Sequence, residues 1–556
     1  MRSVKTQKSD SMLLSSRANP PRPLSDLSKG KSLSVRHLLI NSPLPSPALP
    51  ALLPRHGKKP PPLNTRKALR LLTWVAICVT LYYAASFVTS SSGTRSSIPY
   101  LTSSGKTYEI VGDIELPDAP TPFSFPDQQG RKRWTVYIPQ HLPFPLSSID
   151  YRDICSHSDE VARHAGNHGT KHQHLHSDGH FMEPADAQEA GFLPKQIHYA
   201  HQDEDLSLPV CEKSLTYVLD GTDAGLGSSL LGLWLSYGLA RQEGRSFFID
   251  DSLFAYGKYT TYFQTTVKPS CRQPPKTQRI PCPRQAKHLT ISPATLSWVF
   301  GKAFEQQHSQ RDIFSMARAG YEALFNLRAD DAAYASQRVA DLKSPSPTLM
   351  VGVHLRRGDR HPFDLTYGRG YLPPHMYREA AEAFALKSSR SKVVIASDDP
   401  DVYSHGDLSS YSRVQERITL ASKKSSGDLG WEGGFFKDQF WGLGLPAEAH
   451  EQRKVGSPKP AKEEVEDGRI QHYQSSGVAL HDYRTHPTDE ARQLREFIGR
   501  AYLLELSILG QSDRVVCAVS SYACRILAVM MGWERALEQG HWKNVDGKYN
   551  WMALDV

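Results

Sequence analysis

Four stretches of the chain carry residue types that can do chemistry on a charged ligand. His354-Leu-Arg356-Arg357-Gly-Asp359-Arg360-His361-Pro-Phe-Asp364 ends an apolar run with adjacent arginines. A guanidinium is a planar fork suited to phosphate oxygens, and a nearby carboxylate can fix its orientation. The bland alternative is a structural ion-pair cluster. Ser397-Asp398-Asp399-Pro400 offers paired carboxylates, able to hold a metal, move a proton or simply shape a turn. Asp220-Gly-Thr-Asp-Ala-Gly225-Leu-Gly227 lets the backbone approach a phosphate at a helix N-terminus, or forms a tight turn. As a dinucleotide fingerprint it fails, because the third glycine falls on Leu230. Glu505, Gln511-Ser-Asp513, Ser520-Ser521 and Cys524-Arg525 follow, and the two serines can bind phosphate or cap a helix.

These motifs need strands and helices to hold them, and the apolar patterning supplies both. Strands are predicted at Leu215–Leu219, Arg245–Ile249, Leu349–Leu355, Lys392–Ala396 and Arg514–Val519. Helices are predicted over 226–240, 374–385, 489–510 and from Ser521 to Met531. Alternation of strand and helix in two blocks makes the fold α/β, two units with parallel sheets. Ligands in such folds bind beyond the carboxyl ends of the strands, where every motif above sits.

The whole chain has 556 residues, enough for several units. With 39% hydrophobic and 22% charged residues it is neither collagen, nor wholly disordered, nor a multi-span transporter. The net charge of +8 misleads: residues 1–70 hold 14 Lys and Arg against two Asp, leaving a balance of −4 for the remainder. Nucleic acid is therefore not an expected partner. Residues 1–67, rich in Pro, Ser and basic residues, read as a disordered cytosolic tail. The apolar run 68–88 is long enough to span a bilayer, and the basic excess before it keeps the tail cytosolic and sends the rest to the lumen. This is a single-pass type II arrangement.

Six of the seven cysteines, Cys155, Cys211, Cys271, Cys282, Cys517 and Cys524, lie beyond that span, an even number suited to an oxidising lumen. The close-spaced candidates are Cys271 with Cys282 and Cys517 with Cys524. Residues 89–135 read as a stalk. Residues 136–210 read as a low-complexity insertion dense in histidine, solvated rather than metal-binding because no defined ligand spacing is interleaved. The first α/β unit is then 211–343 and the second 344–556, the latter interrupted by an exposed insertion at 421–488.

The order His354-Leu-Arg356-Arg357-Gly-Asp359, then Ser397-Asp398-Asp399-Pro400, then Leu509-Gly-Gln-Ser-Asp513, Ser520-Ser521 and Cys524-Arg525 resembles the GDP-fucose-dependent fucosyltransferases of the α-1,6 (core) type and their nodulation relatives. Protein O-fucosyltransferases share the His-x-Arg core more loosely. The resemblance covers roughly 215–530 and implies a GT-B-like pair of Rossmann-type units behind the transmembrane helix, a Golgi membrane location, and transfer with inversion without a metal or other cofactor. It implies a donor site of Gly225, Gly227, His354, Arg356, Arg357, Asp359, Arg360, Glu505, Ser520 and Ser521. Arg356 would meet the GDP β-phosphate with Arg357 in support, His354 and Glu505 would face the guanine, and Ser521 would bond the β-phosphate. Among the catalytic residues, Asp398 and Asp399 match required acidic positions, and the acceptor base falls on Asp364, with His361 left open. This chain has Arg360 where the family has Lys, and Glu505 where Asp is common. The family's helical stalk domain and SH3-like module are not recognisable, which points to a different acceptor.

The implied partners are GDP-fucose, a glycan or glycoprotein acceptor and the membrane, with a homodimer left open. Rival readings are a protein O-fucosyltransferase, a non-catalytic sugar-nucleotide-binding protein and an NAD oxidoreductase, the last disfavoured by Leu230.

Overall fold

The computed structural model describes residues 100–103, 106–109, 116–165, 178–194, 207–220, 225–266, 268–345, 348–357, 372–386, 388–419 and 488–554. All of these lie in the compact unit Ser96–Val556. The unit Met1–Arg95, with the tail and the span expected at 68–88, lies outside the described residues, as does most of the 421–488 insertion. Among the described residues no helix is long and apolar enough to cross a membrane.

Two antiparallel hairpins come first, β1 (Tyr100–Ser103) with β2 (Lys106–Glu109) and β3 (Thr121–Pro126) with β4 (Lys132–Tyr137). Helix α1 (Ser148–Ala165) follows. Regular elements therefore occur within both residues 89–135 and residues 136–210. In β4 Trp134 is buried and its indole N–H donates to Asp178 at 2.6 Å. Helix α1 buries Tyr151, Ile154, Cys155, Ser158, Val161, Ala162 and Ala165, an amphipathic stripe that the surrounding histidines conceal.

The disulfides join Cys155 to Cys282, Cys211 to Cys271 and Cys517 to Cys524. The pairing of Cys271 with Cys282 is therefore overturned, and that of Cys517 with Cys524 is observed. The bridge Cys155–Cys282 closes 127 residues and ties α1 to the segment that leads into the strand His288–Ile291. Replacing both cysteines by alanine is expected to cost about 2–5 kcal/mol, measurable as a fall in the denaturant midpoint. An unchanged midpoint would contradict this.

The first parallel sheet holds β5 (Ser214–Val218), β6 (Ser246–Asp250) and β7 (His288–Ile291) in the order β6-β5-β7. Between β5 and β6 runs α2 (Leu226–Gln242), apolar on nearly every face and correspondingly buried. It packs on α3 (Gln310–Leu324), with Gly238 against the Met316 backbone and Gly320 against that of Trp234, approaches with no room for a Cβ. Helix α4 (Ala329–Leu342) leads to the second sheet.

That sheet contains β8 (Leu349–Leu355), β9 (Ser391–Ser397), β10 (Ser412–Arg413), β11 (Arg514–Cys517) and β12 (Trp542–Asn544). Its order is β10-β9-β8-β11-β12 and every pair is parallel, so all carboxyl ends share one edge. Helix α5 (Pro374–Ala385) covers one face; α6 (Asp489–Leu509) and α7 (Tyr522–Met531) cover the other. The strands and helices predicted around the motifs are observed, most within two residues. One hydrophobic core runs through both sheets, joining Leu215 and Leu289 to Met350 and Val515.

Candidate functional site

Strand β8 is buried on both faces, and alternation decides what its last residues meet. Val351, Val353 and Leu355 pack in the cluster that holds Tyr377 and Ala381 of α5. Met350 and Gly352 face the other layer, where a Cβ at 352 would meet Leu509 and Ser512. His354 follows that second set and is 3% exposed, its Nδ1 without a hydrogen-bond partner. Burial, with Arg356 adding to it, lowers its pKa to about 3. The imidazole is therefore neutral at physiological pH, and offers a directional donor and acceptor rather than a charge.

Register builds the next layer. Leu355 sits opposite Ser397, so one step further Arg356 meets Asp398 and Arg357 meets Asp399. Arg356 Nη1 lies 3.3 Å from Asp398 Oδ2, and Arg357 Nη1 lies 3.6 Å from Asp399 Oδ2. The backbone N–H of Arg357 donates to Asp398 Oδ1 at 2.8 Å, so one carboxylate holds both arginines. Asp399 is only 2% exposed. Burial raises its pKa, although Arg357 pulls the other way, and its Oδ1 accepts from Asp401 N at the start of a tight turn. The ion pairs thus exist, but both guanidinium groups stay partly open to solvent, as a site for an anion requires.

Helix α6 lines the site from the side. Glu505 is partly buried, and Gln415 Nε2 donates to its Oε1 at 3.4 Å. Burial pushes the Glu505 carboxyl up to about 8, against the pull of the Gln415 hydrogen bond and with a further push from Asp398. One turn earlier Tyr502 lies within electrostatic reach of Arg356, Asp398 and Glu505. Tyr403, whose hydroxyl accepts from Ser397 N at 3.1 Å and whose ring carries Arg413 at 4.2 Å, also feels Glu505. Tyr502, Tyr403 and Gln415 belong to none of the sequence motifs; Tyr502 alone carries a signal, since it lies three residues before Glu505 on one helix face.

The raised Glu505 value makes a prediction about stability. The folded protein keeps a proton that the unfolded chain releases near pH 4.5, so this stabilisation is complete below that value and is lost as pH rises through about 8. Glu505→Gln is expected to remove the loss. The melting temperature of the variant should gain on that of the wild type by several degrees between about pH 5 and 8.5. A constant difference across that range would contradict the prediction.

Ser520 and Ser521 link β11 to α7, and both are buried. Ser521 is the N-cap of α7 yet makes no side-chain capping bond, so its hydroxyl is not spent on the helix. The Cys517–Cys524 bridge spans this turn. Gly225 caps α2 with open space around it, whereas a Cβ at Gly227 would lie 2.6 Å from Tyr502 Oη and 3.0 Å from Tyr522 Cβ. The start of α2 thus lies close beside Tyr502 and Tyr522 at Gly227. Asp359, Arg360, His361 and Asp364 lie outside the described residues. No cluster of metal-ligating side chains occurs among the described residues.

The arrangement can bind a diphosphate, with cations at the end of β8 and a hydroxyl and amides at the start of α7. No family model and no curated protein matches the chain. Among solved structures it is similar to a NodZ α-1,6-fucosyltransferase soaked with GDP-fucose, at 12% identity over 57% of this chain and 93% of that one, TM-score 0.29. It is also similar to fucosyltransferase NodZ from Bradyrhizobium, at 13% identity over 57% and 92%, TM-score 0.29. A mutant of Arabidopsis thaliana FUT1 in complex with GDP is similar at 10% identity over 58% and 68%, TM-score 0.27.

Proposed function

We propose that this chain is a glycosyltransferase that moves L-fucose from GDP-fucose to a glycan, in an α-1,6-type linkage, with inversion and without a metal ion. The observation that carries the reading is the pair Arg356 and Arg357, held by Asp398 and Asp399 at the carboxyl edge of a parallel sheet. Departure of GDP from fucose leaves negative charge on the diphosphate as the sugar takes on oxocarbenium character. Arg356 receives that charge, with Arg357 in support, and Ser521 and the amides at the start of α7 complete the cradle. His354 and Glu505 face the guanine. A base on the opposite side takes the acceptor hydroxyl proton, a role assigned to Asp364 with His361 as the alternative.

In this reading residues 68–88 anchor the chain in the Golgi membrane with the catalytic part lumenal. The three disulfides support an oxidising compartment. Competition binding with GDP, UDP and ADP in EDTA tests the donor assignment. GDP is expected to bind at least about tenfold tighter than the others, since a site built on base-edge hydrogen bonds rejects the wrong base. Equal affinities, or binding that needs a divalent ion, would overturn it.

A further inference from the structure

In the donor-site reading the turn Val519-Ser520-Ser521 must present a hydroxyl and backbone amides at fixed positions. The Cys517–Cys524 bridge and the bond from Ser521 N to Ala518 O at 2.9 Å close it, and neither engages the Val519 N–H. Its position is set from the neighbouring strand. Asn544, the last residue of β12, pairs in register with Cys517 and is 9% exposed. Its Oδ1 accepts from Val519 N at 2.9 Å and from Asp546 N at 2.9 Å. Its Nδ2 donates to Asp546 O at 3.0 Å and to Tyr549 O at 3.2 Å. One amide side chain thus ties the turn before α7 to the segment that follows β12. On the other side Val519 O accepts from Arg525 Nε at 2.8 Å. Both polar groups of the Val519 backbone are consequently held by side chains, and the next residues are the two serines.

We propose that Asn544 is a positioning residue for the donor diphosphate, acting through the Val519 amide to hold Ser520, Ser521 and the first amides of α7 in the geometry that binds the β-phosphate. This rests on the donor-site reading above. A serine hydroxyl or an amide held in advance loses little freedom on binding, whereas a loose turn must be ordered by the ligand. The contribution of Asn544 therefore falls on the β-phosphate and not on the base.

The ratio of the GMP and GDP dissociation constants, measured by calorimetry on the full-length chain, isolates that contribution. Wild-type protein is expected to bind GDP tighter than GMP by about tenfold or more, the scale of a charge-assisted hydrogen bond. In Asn544→Ala the ratio is expected to fall several-fold, to the part that Arg356 and Arg357 supply without the turn. In Asn544→Ser, which keeps a shorter acceptor, it is expected to fall between the two, and this variant carries the test if the alanine protein does not fold. Trp134→Phe removes the distant bond to Asp178 and lowers stability without touching the turn. Its ratio is expected to stay that of the wild type. A wild-type ratio retained in folded Asn544→Ala or Asn544→Ser would overturn the proposal, as would an equal fall in Trp134→Phe, which marks a general effect of lost stability. A wild-type protein that binds neither nucleotide would overturn the donor-site reading itself, and the proposal with it.

Discussion

Arg356→Ala is expected to lower kcat/KM for fucosyl transfer by about 10²–10³, with most of the loss in kcat. The guanidinium sits at the end of β8 on the face that also carries His354, and Asp398 aims it from 3.3 Å. A cation so placed binds the diphosphate in the ground state, but it gains most when the β-phosphate becomes the leaving group. Arg356→Lys keeps the charge and loses the fork, and is expected to recover only part of the rate. Steady-state kinetics with GDP-fucose as the varied substrate separates the terms. A loss confined to KM would assign Arg356 to binding alone.

Asp398→Ala is expected to come next, with a fall of about 10–100-fold in kcat. This carboxylate pairs with Arg356 and accepts the backbone N–H of Arg357, so its removal frees two groups that must converge on one ligand. Asp398→Asn separates orientation from proton chemistry. The amide oxygen can still accept from Arg357 N, so an orienting role leaves the asparagine variant well above the alanine one. A base or metal ligand at this position would make the two variants equally inactive.

Much of this architecture is legible in the residues. Leu349–Leu355, Ser391–Ser397 and Arg514–Cys517 are short β-rich apolar runs, and each is buried on both faces towards its carboxyl end, as a central parallel strand requires. Strand and helix alternate along the chain, and that alternation alone puts the motifs at the strand ends on one edge. What is not legible is set by tertiary contacts. β10 has two residues and β12 three, too few for any period, yet the segment after β10 supplies Gln415 and the last residue of β12 is Asn544. Helix α1 has a regular buried stripe, but its Ser, Asp and His content reads as loop. Sequence proximity misassigns Cys271 because loop closure cost rises only slowly with length, so distant partners such as Cys155 and Cys282 compete well once the fold brings them together. Gly227 shows a different limit: the closeness of Tyr502 and Tyr522 to it is a tertiary contact that the glycine-rich turn does not announce.

The most direct measurement of the central claim is transfer of labelled fucose from GDP-fucose by the full-length chain, in EDTA, to a panel of glycan and protein acceptors, with Arg356→Ala alongside. Label transferred to a glycan by the wild type and absent with the variant is the expected result. GDP binding with neither transfer nor donor hydrolysis on any acceptor would contradict it and leave a sugar-nucleotide-binding protein, while transfer to a polypeptide alone would move the assignment to protein O-fucosylation.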